Sequence, residues 1–186
     1  NPTGVSNSAV GYQSLYSNTT GVSNSALGLF SLIWNTTGSY NTSIGNFSLY
    51  DLNITANDGS GNNTAIGYNT GRGIVTGINN TILGANVTGL SATLSNSIII
   101  ADGSGNQRIN VGSAGNVGIG TTTPWAKLSV NNYSTAGNTA PLFVVSSSTG
   151  ALATSTAFII DSIGNVGIGT TSPLWDFQID GTRKVM

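Results

Sequence analysis

The segment Thr20-Gly-Val-Ser-Asn-Ser-Ala26 decides the fold, because it repeats letter for letter the segment Thr3-Gly-Val-Ser-Asn-Ser-Ala9 that lies 17 residues before it. The anchor of this repeat is an Asn followed by Ser or Thr and two small or aliphatic residues. It occurs at Asn7, Asn24, Asn41, Asn63, Asn80 and Asn96, with spacings of 17, 17, 22, 17 and 16 residues. A period near 17 is too short for pairs of helices and is typical of one coil of a parallel β-solenoid, or β-roll. The sequence therefore predicts an all-β fold for residues 1–101.

The aliphatic residue after each anchor predicts a core ladder, in which equivalent side chains stack about 4.8 Å apart along the axis. The predicted core ladder is Val10, Leu27, Ile44, Ile66, Leu83 and Ile99. A second ladder is predicted five residues after the first, at Leu15, Leu32 and Leu49. Each coil would bury apolar surface only against its neighbours, so the repeats are expected to stabilise one another.

Glycine flanks the anchors at fixed distances, where the chain is expected to turn with φ > 0. These glycines lie three residues before the anchor (Gly4, Gly21, Gly38, Gly77) and four after it (Gly11, Gly28, Gly45, Gly67, Gly84). Each coil is predicted to contain a turn, a short strand, a second turn and a longer strand. The five additional residues between Asn41 and Asn63 fall in the segment 51–61, which we predict to be a loop protruding from one coil.

The composition excludes many common kinds of enzyme active site. Gly, Ser, Thr and Asn make up 97 of the 186 residues, charged residues are 6%, and the chain has neither His nor Cys. The usual general base, the thiol nucleophile and the thiolate metal sites are therefore missing, and the six Asp residues are scattered rather than paired. We predict a protein that is not an enzyme, with no catalytic residues and no cofactor. The thinly spread charge also argues against nucleic acid as a partner, and no apolar run is long enough to insert this segment into a membrane.

Two near-identical pentapeptides, Asp58-Gly-Ser-Gly-Asn62 and Asp102-Gly-Ser-Gly-Asn106, are weak candidates for calcium binding through Asp58 and Asp102. Calcium requires six to eight oxygen ligands, and each segment supplies a single carboxylate. A tight turn is therefore the preferred interpretation of both segments.

The chain contains nine Asn-x-Ser/Thr sequons, which are acceptor sites for N-glycosylation. A repeat rich in Asn and Thr also produces such sequons by chance. Asn18, Asn35 and Asn53 lie in predicted turns or in the longer repeat and are the glycosylation candidates. Aromatic residues are a further feature, interpreted either as platforms for sugars or as packing and interchain contacts. They are Tyr12, Tyr16, Trp34, Tyr40, Tyr50, Tyr68, Trp125 and Trp175.

A second repeat follows the first. The segments Gly115-Asn-Val-Gly-Ile-Gly-Thr-Thr-Thr-Pro124 and Gly164-Asn-Val-Gly-Ile-Gly-Thr-Thr-Ser-Pro173 differ at one residue. Each is predicted to be a Gly-rich turn between two alternating strands. We predict three segments: a repeat array over 1–101, a first β-module over 102–135 and a second over 136–186. Because the chain begins inside a repeat, it is interpreted as a processed chain or a piece of a longer one.

The coils, as in Asn63-Thr-Ala-Ile-Gly-Tyr-Asn-Thr70, resemble the head repeats of trimeric autotransporter adhesins and their relatives in phage fibres. The later modules resemble Gly-Asn-Val-Gly-Ile-Gly-Thr-Thr-x-Pro units of phage tail-fibre-like and large bacterial surface proteins. The resemblance implies a left-handed parallel β-roll, three chains side by side, and display outside a cell or virion.

These observations lead to one functional hypothesis and two alternatives. The hypothesis is a structural and adhesive segment of an extracellular surface fibre, an adhesin head or stalk, that self-associates as a homotrimer. The alternatives are a subunit of an extracellular filament assembled head to tail, and a phage tail fibre or receptor-binding shaft. Host surface glycans or proteins are the candidate ligands, and the expected location is the cell or virion surface.

Overall fold

The computed structural model describes residues 3–55, 60–131, 139–148 and 154–180, and none of these residues is helical. The all-β fold class is confirmed. The strands are β1 (Ser8–Val10), β2 (Ser25–Leu27), β3 (Thr42–Ile44), β4 (Thr64–Ile66), β5 (Thr81–Leu83), β6 (Ile98–Ala101), β7 (Gln107–Val111), β8 (Val117–Ile119), β9 (Leu128–Val130), β10 (Phe143–Ser148), β11 (Thr154–Ile160), β12 (Val166–Ile168) and β13 (Phe177–Ile179). The described part of the chain contains no apolar helix of membrane-spanning length.

Strands β1 to β9 form one sheet in sequence order. The first six pair in parallel, and each residue pairs with its equivalent in the next repeat. Ser8, for example, pairs with Ser25, and Ser25 with Thr42. Strand β7 pairs antiparallel with both β6 and β8. The 17-residue period is thus the distance along the chain between hydrogen-bonded neighbours, with 22 residues between β3 and β4.

The predicted core ladder is wrong by one residue. Val10, Leu27, Ile44 and Ile66 are exposed, and Leu83 is half-buried. The buried positions are those immediately before, because successive side chains of a strand point to opposite faces. They form the register Ala9, Ala26, Ser43, Ala65, Ile82 and Ile99, in which only the first member is exposed. Ile99 is buried as predicted, but it pairs with Ile82 rather than with Leu83.

The second predicted ladder is confirmed, since Leu15, Leu32 and Leu49 are all buried. The rest of the core cluster comes mainly from later repeats and includes Ile74, Ile82, Val87 and Ile99, and also Leu52 and Ile54. The last two belong to the segment that was predicted to protrude. At least its beginning therefore packs in the core, whereas residues 56–59 lie outside the described residues.

The longer strand predicted in each repeat is replaced by a run of turns. Left-handed backbone recurs there and before the anchor, at equivalent residues of successive repeats. The position before the anchor has φ between 54° and 60° in every repeat, where Ser97 rather than Asn96 takes the anchor position of the sixth repeat. These residues are Ser6, Ser23, Tyr40, Asn62, Asn79 and Asn96. Asn tolerates this conformation better than other residues with a Cβ, which explains its use in the later repeats.

This regularity predicts that Tyr40→Asn stabilises the protein. Tyr40 has φ of 60° and an exposed side chain, whereas three equivalent positions carry Asn. We expect the free energy of unfolding to rise by about 0.5–1 kcal/mol, because Asn lowers the cost of left-handed backbone. Chemical denaturation measures the change. Tyr16→Asn is the control, since Tyr16 is also exposed but does not have positive φ; an equal gain there would contradict the explanation.

The chain divides into two compact units, Asn1–Ser129 and Val130–Met186. The segment 115–124 lies in the same unit as the repeats and its strand β8 in the same sheet, whereas residues 130–135 of the predicted first module belong to the second unit. The change of repeat pattern near residue 101 is therefore not a boundary between units. In the second unit, β10 to β13 form a sheet in sequence order, antiparallel except for the last pair. In both modules the Val-Gly-Ile predicted as part of a turn is instead a strand, β8 or β12, that pairs with the preceding strand.

Candidate binding surfaces

The anchor asparagines form a buried ladder that connects successive repeats. The Oδ1 atom of each anchor accepts the backbone N–H of the next anchor, as in Asn41 N to Asn24 Oδ1 (2.9 Å) and Asn63 N to Asn41 Oδ1 (3.1 Å). The Nδ2 atoms of Asn41, Asn63 and Asn80 also donate to the Oδ1 of the preceding anchor. Ser97, not Asn96, is the sixth member, because its N–H donates to Asn80 Oδ1 (3.1 Å). The last spacing is therefore 17 residues rather than the 16 inferred from the sequence.

Two of the three glycosylation candidates are wrong, because their side chains are buried. Asn18 Nδ2 donates to the carbonyl oxygen of Gly21 (2.9 Å). Asn35 Nδ2 donates to the carbonyl oxygen of Gly38 (2.9 Å) and also to Asn18 Oδ1 (3.2 Å). Neither amide is accessible to a modifying enzyme in the folded chain. Asn53 is half-buried and its Oδ1 accepts from Thr36 Oγ1, and its glycosylation stays a prediction.

An apolar stripe lies on the outer face of β1 to β6, and we call it the aliphatic stripe. It consists of Val10, Leu27, Ile44, Ile66, Leu83 and Ile100, which pair consecutively in register. All except Leu83 are exposed, from Val10 at 63% to Ile44 at 37%. Contiguous exposed apolar surface of this kind marks interaction sites in soluble proteins.

A second surface is an aromatic cluster that comprises Tyr12, Phe30, Trp34, Phe47, Tyr50 and Tyr68. Phe30 and Phe47 lie at its centre with ring centroids 5.5 Å apart. Tyr12 contacts Phe30 edge to face at 5.5 Å, and Tyr68 contacts Phe47 at 6.3 Å. Trp34 meets Tyr50, which also contacts both central rings. The central rings and Tyr50 are half-buried, whereas Tyr12, Trp34 and Tyr68 are exposed.

The structure brings together four of the aromatic residues singled out in the sequence and leaves the others apart. Tyr16, Tyr40, Trp125 and Trp175 are exposed, and none of them contacts another ring among the described residues. Sequence reasoning missed Phe30 and Phe47, which organise the cluster. Their 17-residue spacing was the available signal, because equivalent positions of successive repeats stack.

An ion pair borders the aromatic cluster. Arg72 Nε donates to Asp51 Oδ2 (2.7 Å), and the Arg72 guanidinium lies 4.6 Å from the ring centroid of Tyr50. Asp51 Oδ2 also accepts the N–H of Gly73 (2.9 Å), and Arg72 Nη1 donates to Asn69 Oδ1 (2.9 Å). Partial burial works against ionisation of Asp51, but these hydrogen bonds and the charge of Arg72 outweigh it and hold the pKa of Asp51 below its ordinary value.

The Asp102 segment has the geometry of a tight turn. Asp102 Oδ1 accepts the backbone N–H groups of Ser104 (2.9 Å) and Asn106 (3.0 Å), and Oδ2 pairs with Arg108. Bonding to the Asn106 side chain and then to Arg108 lowers the pKa of this carboxyl. Its oxygens are thus bonded within the hairpin that joins β6 to β7. The second calcium candidate, Asp58, lies outside the described residues.

Within the described ranges, no three His, Cys, Asp or Glu side chains lie close enough together to hold a metal ion. Comparison of the chain with protein-family models, with curated proteins and with solved structures gave no significant match.

Proposed function

We propose that this chain is a non-enzymatic segment of an extracellular surface fibre, in which residues 3–101 form a β-solenoid that associates as a homotrimer through the aliphatic stripe. The resemblance of the repeats to adhesin heads implies this arrangement. The observation that carries the proposal is that an aliphatic residue occurs at the same register position in all six repeats and is exposed in five of them, Leu83 being half-buried.

An apolar stripe whose residues pair in register is well suited to contact between identical chains. Equivalent residues recur at a constant register, so a second copy presents side chains at the same spacing along its own stripe. Closed rotational symmetry would bury the stripe of every copy and leave none exposed, which the hydrophobic effect favours. Three copies around one axis satisfy this condition and agree with the resemblance.

The remaining surface suits a passive fibre. Charged residues are only 6% of the chain, and the anchor asparagines bond one repeat to the next through buried side chains. Stability in this arrangement comes from interactions repeated between neighbours, as in other repeat proteins. A segment built in this way transmits force and presents surface loops without requiring a catalytic site.

The proposal predicts that charge in the aliphatic stripe abolishes assembly. In the double variant Ile44→Asp/Ile66→Asp both carboxylates would be buried between chains, whereas in a single chain both positions are exposed. We expect sedimentation velocity to give the mass of three chains for the wild type and of one chain for the variant, with an unchanged β-type circular dichroism spectrum.

The control is Thr76→Asp/Thr93→Asp, which adds the same charge at two exposed positions of neighbouring repeats away from the stripe. It is expected to remain trimeric. A stripe variant that stays trimeric would contradict the interface, and a wild type that forms open-ended polymers would favour the head-to-tail filament.

A further inference from the structure

The aromatic cluster differs from the aliphatic stripe in being local. The stripe occupies every repeat, whereas the position of Phe30 and Phe47 carries Gln13 in the first repeat and Asn69 and Asn86 in the later ones. A contact that runs the length of a fibre needs the same chemistry in each repeat. A cluster restricted to part of the array indicates a site for a compact ligand.

The two central rings are also kept at a conformational cost. Phe30 and Phe47 have φ of 55° and 59°, in the left-handed region, where the equivalent Asn69 and Asn86 have 52° and 56°. Asn accepts this conformation readily, and an aromatic residue does not. The same backbone conformation occurs at the buried Leu15, Leu32 and Leu49, so it belongs to the repeat, and the aromatic side chain is what distinguishes this position in the second and third repeats.

The charges at the border of the cluster neutralise each other. Asp51 and Arg72 are 2 of only 11 charged residues in the chain, and they form an ion pair beside Tyr50. The site therefore offers no net charge to a ligand, but it offers fixed polar groups. The guanidinium of Arg72 has five N–H donors, and three of them are used by Asp51 and Asn69.

An uncharged sugar matches this combination of groups. One face of a pyranose carries C–H groups with partial positive charge, which pack on the negative faces of aromatic rings, while the hydroxyl groups at its edge take hydrogen bonds from planar polar side chains. The exposed rings of Tyr12, Trp34 and Tyr68 supply the first contact, and Asp51 and Arg72 supply the second.

We infer that the aromatic cluster, with the Asp51–Arg72 pair at its edge, is a binding site for neutral glycans. This inference deepens the proposed function, on which it rests, by naming the ligand class and the residues of the adhesive surface. The site uses side chains from neighbouring repeats, so it depends on their stacking. Acidic glycans are the competing ligands that the experiment must distinguish.

The test measures binding of the full chain to soluble polymers of glucose, mannose, galactose and N-acetylglucosamine by isothermal titration calorimetry, with polysialic acid and heparin as acidic probes. Trp34→Ala removes an exposed ring of the cluster and is expected to weaken binding by about tenfold or more, because Trp is among the residue types that most often dominate the energy of a binding interface. Trp125→Ala is the matched control, because Trp125 is 89% exposed and contacts no other described ring. We expect it to change the affinity by less than about twofold.

Tyr12→Ala removes a second exposed ring of the cluster, which contacts Phe30 rather than Tyr50, so a folding defect in one variant does not decide the result. Binding to a neutral polymer that both cluster variants weaken and Trp125→Ala preserves supports the site. Binding to none of the neutral polymers, binding to the acidic probes alone, or equal losses in all three variants would overturn it. Sedimentation of the same samples separates this outcome from failure of the proposed function: a trimer that binds no sugar contradicts only the glycan site.

Discussion

Replacing Gly45 by alanine is expected to lower the free energy of unfolding by at least about 3 kcal/mol, a large part of the stability of a typical domain. Gly45 has φ of 129°, and a Cβ there would lie less than 3.0 Å from the backbone carbonyl of Gly67 in the next repeat. Neither atom belongs to a flexible side chain, so the repeats would have to separate. Equilibrium denaturation in urea measures the effect.

Alanine variants at two other glycines are controls that distinguish the cost of backbone strain from the cost of steric overlap. Gly103→Ala has neither, because no atom lies within 4 Å of its Cβ position and its φ is not positive. Gly89→Ala also has open space but a φ of 69°, so it carries strain alone. We expect a change near zero for Gly103→Ala and a loss of about 1 kcal/mol for Gly89→Ala. A loss at Gly45 no larger than that at Gly89 would show that the repeats are not packed as closely as described.

Asn41→Ala is expected to lower the free energy of unfolding by about 2–4 kcal/mol. Asn41 is fully buried, and its Oδ1 accepts both the backbone N–H and the Nδ2 of Asn63. Alanine leaves the Asn63 N–H buried without an acceptor and also leaves a cavity, and both effects are costly in a packed interior. Urea denaturation of the purified variant gives the value.

Asn46→Ala is the matched control for this prediction. Asn46 is exposed and its Oδ1 accepts a single bond, from the N–H of Leu29, which water can replace. Its loss should cost less than about 1 kcal/mol. Similar losses for the two variants would contradict the view that the anchor asparagines are internal connectors between repeats.

The sequence was sufficient for the period, the all-β class and the Leu15, Leu32 and Leu49 ladder. It was misleading about which strand face is buried, because the outer face carries Leu and Ile while the inner face of the early repeats carries Ala and Ser. Hydrophobicity alone assigns such a strand to the wrong face. The inner residues are small because buried Leu and Asn side chains from the turns fill the interior beside them.

Two further features depend on contacts that spacing does not reveal. Gly21 and Gly38 were expected to need positive φ, yet they do not have it; a Cβ at either would instead collide with the side-chain oxygen of Asn18 or Asn35. The aromatic cluster could be anticipated only in part, since the border formed by Asp51 and Arg72 joins residues 21 positions apart across the longer repeat. Asp51 and Arg72 lie side by side because the longer repeat brings β3 and β4 into register over 22 residues instead of 17.

The most direct test of the proposed fibre is the mass of the native assembly over a wide range of protein concentration, measured by native mass spectrometry. We expect one discrete species of three chains of 18.8 kDa each, with no larger members. A single chain at every concentration, or a continuous series of larger assemblies, would contradict the homotrimer built on the aliphatic stripe.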